Sequence, residues 1–131
     1  MKKTTFYLVW GLQLLAALIM VQSLFFKFSA APESVYIFDK VGLGAAGRIG
    51  TGVAELIASV LLLTPSLAWL GAILGIGMMS GAIFSHLTLL GIEVQGDGGY
   101  LFFLGLVVLI SCSVVLWIRR HAIPVVGARL W

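Results

Sequence analysis

The sequence predicts an all-α fold: a four-helix transmembrane bundle with a short interfacial helix between the first and second spans. Three observations carry the prediction. Of the 131 residues, 61% are hydrophobic and only 10% are charged, where a soluble domain is about half apolar and a quarter charged. With a mean hydropathy of +1.15, the chain has too little polar surface to cover a water-soluble globule, so its flanks face lipid. The apolar residues gather into four stretches, each close to the ~20 residues that cross a bilayer as a helix. Positive charges flank the first and last of them. That is a topology signal and not a nucleic-acid footprint, because no basic cluster stands beside stacking aromatics.

Each element follows from its residues. The first span, roughly 6–27, comes after Lys2 and Lys3. Its apolar run of about 20 residues exceeds the core of a signal peptide. Cleavage after Ala31 would also leave Pro32 at the new N-terminus, so the run reads as a retained helix. Next, "PESVYIFDKVG" spaces Val35, Phe38 and Val41 three apart, the pattern of a short amphipathic helix at the interface. The second span, roughly 48–64, is short and carries Arg48 and Glu55. At "TPS", Pro65 stops that helix and Ser66 is placed to cap the third, roughly 67–90. The loop "GIEVQGDGG" holds Glu93 and Asp97 and reads as a turn before the fourth span, roughly 99–118. Lys2, Lys3, Arg119, Arg120 and Arg129 lie at the two ends, against Lys27, Lys40 and Arg48 around the first outer loop. This distribution predicts that both termini are cytoplasmic. No repeat or linker divides the chain, so residues 1–131 read as a single domain.

Why does a bilayer segment carry a carboxylate two helical turns below an arginine? Arg48, Thr51, Gly52, Glu55 and Ser59 recur at steps of three and four. They form one stripe, so Glu55 faces the bundle. A charge at the centre of a membrane helix costs about 2.5–3.5 kcal/mol on insertion scales, so a partner is expected. The first span offers a matching stripe, Gln13, Ala16, Met20, Ser23 and Lys27, which ends in a cation at the same membrane surface. In the third span, His86 lies about one turn from that surface. Lys27, Arg48, Glu55 and His86 are therefore the candidate pocket or proton-handling residues, and no catalytic residue is assigned. For Glu55, a structural ion pair with Lys27 or Arg48 and a ligand- or proton-handling role both stay open. For His86, so do a hydrogen bond to the loop and a ring that donates to a quinone carbonyl or relays a proton.

Gly71 and Gly75 on one face of the third span, and Gly77 and Gly81 on another, are read as helix-packing positions of a helix packed closely on two sides. Cys112 is the lone cysteine, so the chain has no dithiol of its own. His86 and His121 fall on opposite sides of the membrane, so no metal or haem site is expected.

Three segments carry a family likeness. "FFKFS" after the first span, "GRIGTGVAELIASVLLLTP" through the second and "GAILGIGMMSGAIFSHLTLLG" through the third resemble the DoxX family of small four-helix bacterial membrane proteins. The resemblance covers roughly Leu14–Ile118. It rests on Lys27, the glycine-rich approach to Glu55, and His86–Leu87, in that order and spacing. It implies a multi-pass protein of the bacterial cytoplasmic (inner) membrane. The family takes its name from a subunit associated with thiosulfate:quinone oxidoreductase in an acidophilic archaeon. Other members are linked to thiol and oxidative-stress systems, and distant four-helix relatives to disulfide formation or sterol handling. This chain departs from those relatives in having no paired cysteines and only Glu55 as a carboxylate inside the bilayer.

What the resemblance implies is an accessory or quinone-facing subunit of a membrane redox system, not a stand-alone enzyme. The chain itself would carry no cofactor, a quinone would be the candidate ligand, and membrane or periplasmic redox proteins the partners. Two alternatives use the same residues: a lipophilic small-molecule binder or proton-coupled carrier, and a purely structural subunit of a larger membrane complex. In all three the bilayer is the surrounding medium and nucleic acid is not a partner.

Overall fold

The computed structural model describes residues 2–94 and 96–123. Arg129, counted above among the terminal charges, lies outside the described residues. Within them the fold is all-helical: α1 spans Lys3–Phe28, α2 Pro32–Lys40, α3 Gly44–Leu62, α4 Ala68–Ser85 and α5 Tyr100–Ile118. A 3-10 turn at Pro65–Leu67 leads into α4, and a π turn at His86–Leu90 prolongs it. Four segments are long and apolar enough to cross a membrane: Lys3–Phe28, Gly44–Leu62, Pro65–Leu90 and Tyr100–Ile118. The short α2 sits between the first and second of them, as the sequence predicts.

α1 packs on α3 and α5, and α4 packs on the same two helices. The four therefore close into a ring with one core on its axis. Val9, Ala16, Met20, Leu62, Val108 and Val115 fill that core. The outward faces keep large apolar side chains, among them Leu18, Phe84 and Trp117, which are two-thirds exposed. In water that surface would be a liability; in a bilayer, hydrocarbon covers it.

The structure differs from the sequence reading at four places. α3 begins at Gly44, four residues ahead of Arg48. Ala45 and Ala46 favour helix and nothing between them and Arg48 breaks it. Its other end falls at Leu62 because Pro65 forces the residue before it out of the helical region, and Thr64 is extended at φ −105°, ψ 110°. Ser66 does not cap α4: it lies inside the 3-10 turn, Leu67 holds the cap position, and no side chain bonds there. In α2 the covered face is Ser34 and Phe38, one turn apart, while Val35 is exposed.

The fourth difference concerns the glycines of α4. A Cβ on Gly71 would stand 2.7 Å from the Leu62 amide nitrogen and 2.8 Å from the Ala58 carbonyl oxygen. One on Gly75 would stand 2.6 Å from Cys112 Sγ. Gly77 and Gly81 have no neighbour within 4 Å of that position, so they are not close-packing positions. Among the glycines of α4, the two in its first half are the ones that stand against a neighbouring helix.

Candidate functional site

Glu55 meets a cation. The Lys27 ammonium lies 2.7 Å from Glu55 Oε1, and the side chains are 16% and 3% exposed. Ser23, one turn before Lys27 on α1, completes the cluster. Its hydroxyl lies 2.9 Å from Glu55 Oε2, with the Met20 carbonyl as a second acceptor at the same distance. Lys27 also donates to Ser23 Oγ at 3.1 Å. Lys27 is the penultimate residue of α1, where a lysine would ordinarily extend toward the membrane surface. Here its stem turns inward to a carboxylate that lies about 10 Å below Arg48 along α3.

Arg48 does not touch Glu55. It is 9% exposed, and its Nη1 donates to the main-chain carbonyl of Lys27. That carbonyl is one of the last four of α1, which have no partner inside the helix. Arg48 therefore closes the end of α1 and adds a positive charge where the helix dipole is negative. On α3 the same inward stripe continues through Gly52 and Ser59. The Phe28 ring lies so close over Gly52 that a Cβ there would stand 2.8 Å from it, and Ser59 Oγ bonds back to the Glu55 carbonyl at 2.8 Å.

His86 opens the π turn and is 6% exposed. Its Nδ1 lies 2.9 Å from the carbonyl oxygen of Gly91, whose φ of +78° ends the turn. A carbonyl oxygen only accepts, so Nδ1 carries the hydrogen. The ring stands edge-on to Phe102 with centroids 5.5 Å apart. The loop that follows is held by Asp97. Its Oδ1 accepts the amides of Val94 and Gly99 at 3.0 and 2.8 Å, and its Oδ2 accepts that of Leu101 at 3.2 Å. Partial burial pushes the Asp97 carboxyl up, and the amides of Val94, Gly99, Leu101 and Tyr100 together pull it further down, to below its ordinary value.

Lys27, Glu55 and His86 border one cavity of about 610 Å³ in the half of the bundle away from the termini. Arg48 stands behind Lys27 and not at the wall. Phe38 of α2 closes the cavity toward the membrane surface, and Met79, Leu104 and Val108 form its apolar side. Gly77 and Gly81 line it as well, which explains why their missing side chains meet open space.

The opposite end of the bundle holds a second polar link. Gln13 is fully buried; its Nε2 donates to the Leu62 carbonyl at 2.6 Å, and its Oε1 accepts Arg119 Nε at 2.6 Å. Arg119 also lies 5.7 Å from the centre of the Trp10 ring. The link ties the end of α5 to the first half of α1 and α1 to the end of α3. In the sequence Gln13 stands on the inward stripe with no visible partner, because Arg119 is 106 residues away. Ser23 was legible as the neighbour of Lys27 at one helical turn, whereas Phe102 and the π turn left no mark in the sequence. Among the described residues, no three His, Cys, Asp or Glu side chains gather as metal ligands.

Among known proteins, the family described as the DoxX-like family matches this chain over residues 11–95. The matched stretch runs from α1 into the loop after the π turn, and so contains Lys27, Arg48, Glu55 and His86. No curated protein and no solved structure matches the chain significantly.

Proposed function

The chain belongs to the DoxX-like family, and from that starting point we propose that it binds a small lipophilic molecule inside the bilayer, as the ligand-holding accessory subunit of a membrane redox system. The cavity beside the Lys27–Glu55 pair is the observation that supports this. At about 610 Å³ it falls within the roughly 300–1,000 Å³ of small-molecule sites, which pair apolar walls with a few convergent polar groups. An ion pair serving stability alone accounts for Lys27 and Glu55 but not for the space next to them. Protein interiors are close-packed, and an unfilled volume of this size costs stability.

A quinone fits this description. The apolar side formed by Met79, Leu104 and Val108 suits a ring and tail. Lys27 spends two of its three N–H groups on Glu55 and Ser23 and keeps one for a ligand oxygen. A bound quinone would supply two-electron chemistry for a partner protein. This chain's part is to seat the head group and keep water from it.

In the same reading both termini face the cytoplasm, across the inner membrane of a bacterium. Lys2, Lys3, Arg119 and Arg120 cluster at that end, and basic residues stay on the cytoplasmic side. At the other end, Lys27 and Arg48 are drawn into the protein by Glu55 and by the end of α1, which weakens their opposing pull. A terminal reporter fusion active only outside the membrane would overturn this orientation.

The test of binding is retention. Protein purified in mild detergent, extracted and analysed by mass spectrometry is expected to carry about one lipophilic molecule per chain. Ala82→Phe, which places a ring into the cavity, is expected to abolish retention. Wild-type protein that retains nothing, together with an Ala82→Phe variant more stable than wild type, would leave only a structural subunit.

A further inference from the structure

We infer that the molecule held in this cavity presents a hydroxyl hydrogen to His86, so that the site selects a lipophilic alcohol or phenol over the corresponding ketone or ether. The inference rests on the proposed binding function and adds the chemical class of the head group. It follows from counting donors and acceptors at the wall.

His86 is nearly buried and borders the cavity. Its Nδ1 hydrogen goes to the Gly91 carbonyl oxygen. In the neutral imidazole that leaves Nε2 as an acceptor with no hydrogen of its own. No hydrogen bond to Nε2 is made by any described residue. The tautomer is thus set by the fold: the π turn brings the ring to the Gly91 carbonyl, and the nitrogen remaining for a ligand accepts only.

The other polar groups at the wall do not reverse this bias. Glu55 is an acceptor, and the Ser23 hydrogen is already directed at Glu55 Oε2 or the Met20 carbonyl. Ser34 and Thr51 line the cavity with hydroxyls that rotate to serve either kind of partner and so do not discriminate. The Ser85 hydrogen goes to the Gly81 carbonyl, the Asp97 carboxylate only accepts and is held by loop amides, and Gln22, Glu33 and Tyr100 are exposed. Lys27 keeps one N–H, which any ligand oxygen can accept. The discriminating atom is therefore His86 Nε2. A hydroxyl gives it a hydrogen. A ketone or ether oxygen brings a lone pair against a lone pair and leaves an acceptor that the ligand itself covers unsatisfied. For a quinone couple this favours the reduced, hydroxyl-bearing form.

The experiment compares nonylphenol with its methyl ether, which share a tail and differ in one hydrogen-bond donor. Binding to the full chain in mild detergent is followed by tryptophan fluorescence. The phenol is expected to bind roughly tenfold more tightly, the worth of one net hydrogen bond. In His86→Phe the ratio is expected to fall to about one, through loss of phenol affinity with the ether unchanged. Because His86→Phe also removes the bond to Gly91, His86→Asn serves as the second variant. It keeps an N–H donor for the Gly91 carbonyl, its one remaining acceptor, Oδ1, stands where the ring carries Cδ2 and so stops short of the Nε2 position, and it is expected to show the same collapse. Equal binding of phenol and ether to the wild type, or a ratio that survives in both variants, overturns the inference and leaves the binding function standing. Failure of both compounds to bind overturns the binding function and the inference with it.

Discussion

Breaking the Lys27–Glu55 pair from its two sides should not cost the same. The contact is 2.7 Å, but the lysine side chain is 16% exposed and the glutamate 3%. Glu55→Gln leaves an ammonium at the end of a four-carbon stem, on the penultimate residue of its span, and it can lift toward the surface. That loss should be about 1–3 kcal/mol, the scale of a charge-assisted hydrogen bond. Lys27→Met leaves a carboxylate on a short side chain, deep in the bundle, with Ser23 as its remaining donor. An uncompensated buried charge costs about 3–5 kcal/mol. The double variant removes both charges and should be more stable than Lys27→Met alone, with a coupling of at least ~1 kcal/mol. Thermal unfolding in mild detergent, read by tryptophan fluorescence and by the monodisperse fraction on gel filtration, measures all four proteins. Equal losses in the single variants that add in the double would refute the reasoning, because they would mean the two charges do not depend on each other.

Three other perturbations have defined outcomes. Gly71→Ala drives a methyl against the backbone of α3 at Leu62 and Ala58 and should cost about 1–3 kcal/mol, while Gly81→Ala, facing open space, should stay within about 0.5 kcal/mol of wild type; the same thermal assay separates them. Gln13→Leu removes both the donor to the Leu62 carbonyl and the acceptor for Arg119 and should destabilise by about 1–3 kcal/mol, visible also as faster proteolysis after α5. The Asp97 carboxyl sits below its ordinary value, so its hold on the loop is fully present above about pH 4 and is lost as pH falls through the lowered value. Hydrogen exchange at the Val94 and Gly99 amides should accelerate, relative to the intrinsic rate, on acidification in the wild type and already at neutral pH in Asp97→Ala.

How much of this was legible beforehand follows from the cost of each misplacement. A lone glutamate in an apolar helix is expensive enough that its stripe, Arg48, Thr51, Gly52, Glu55 and Ser59, had to turn inward; Thr51 is half-buried and the other four are buried. Lys27 followed by the same logic. The choice between Lys27 and Arg48 as its partner was not legible. It depends on α3 starting at Gly44, which sets Arg48 level with the end of α1. The glycines of α4 show the opposite case. Spacing alone makes Gly71, Gly75, Gly77 and Gly81 equivalent, because a missing side chain permits either a close contact or a void. Only the path of the neighbouring helices decides which, and here it divides them in two. The cavity is made of such absences and so leaves no pattern in the sequence. The π turn brings His86 to the Gly91 carbonyl, and the types of these residues carry no signature of it.

The placement of the two charges also bears on how the protein is made. Chain synthesis delivers α1 first, so Lys27 and Ser23 are already in the membrane when Glu55 emerges. A lysine waiting near a helix end rests at the surface at little cost, because its stem keeps the ammonium in the headgroup layer. A glutamate in mid-helix has no such refuge, and its insertion costs about 2.5–3.5 kcal/mol. The order in the sequence puts the tolerant charge first and the intolerant one second, arriving beside its counter-ion. α3 is thereby a helix that enters the bilayer as the companion of α1, and exchanging the residues at 27 and 55 would restore the pair on paper while removing the partner at the moment of insertion.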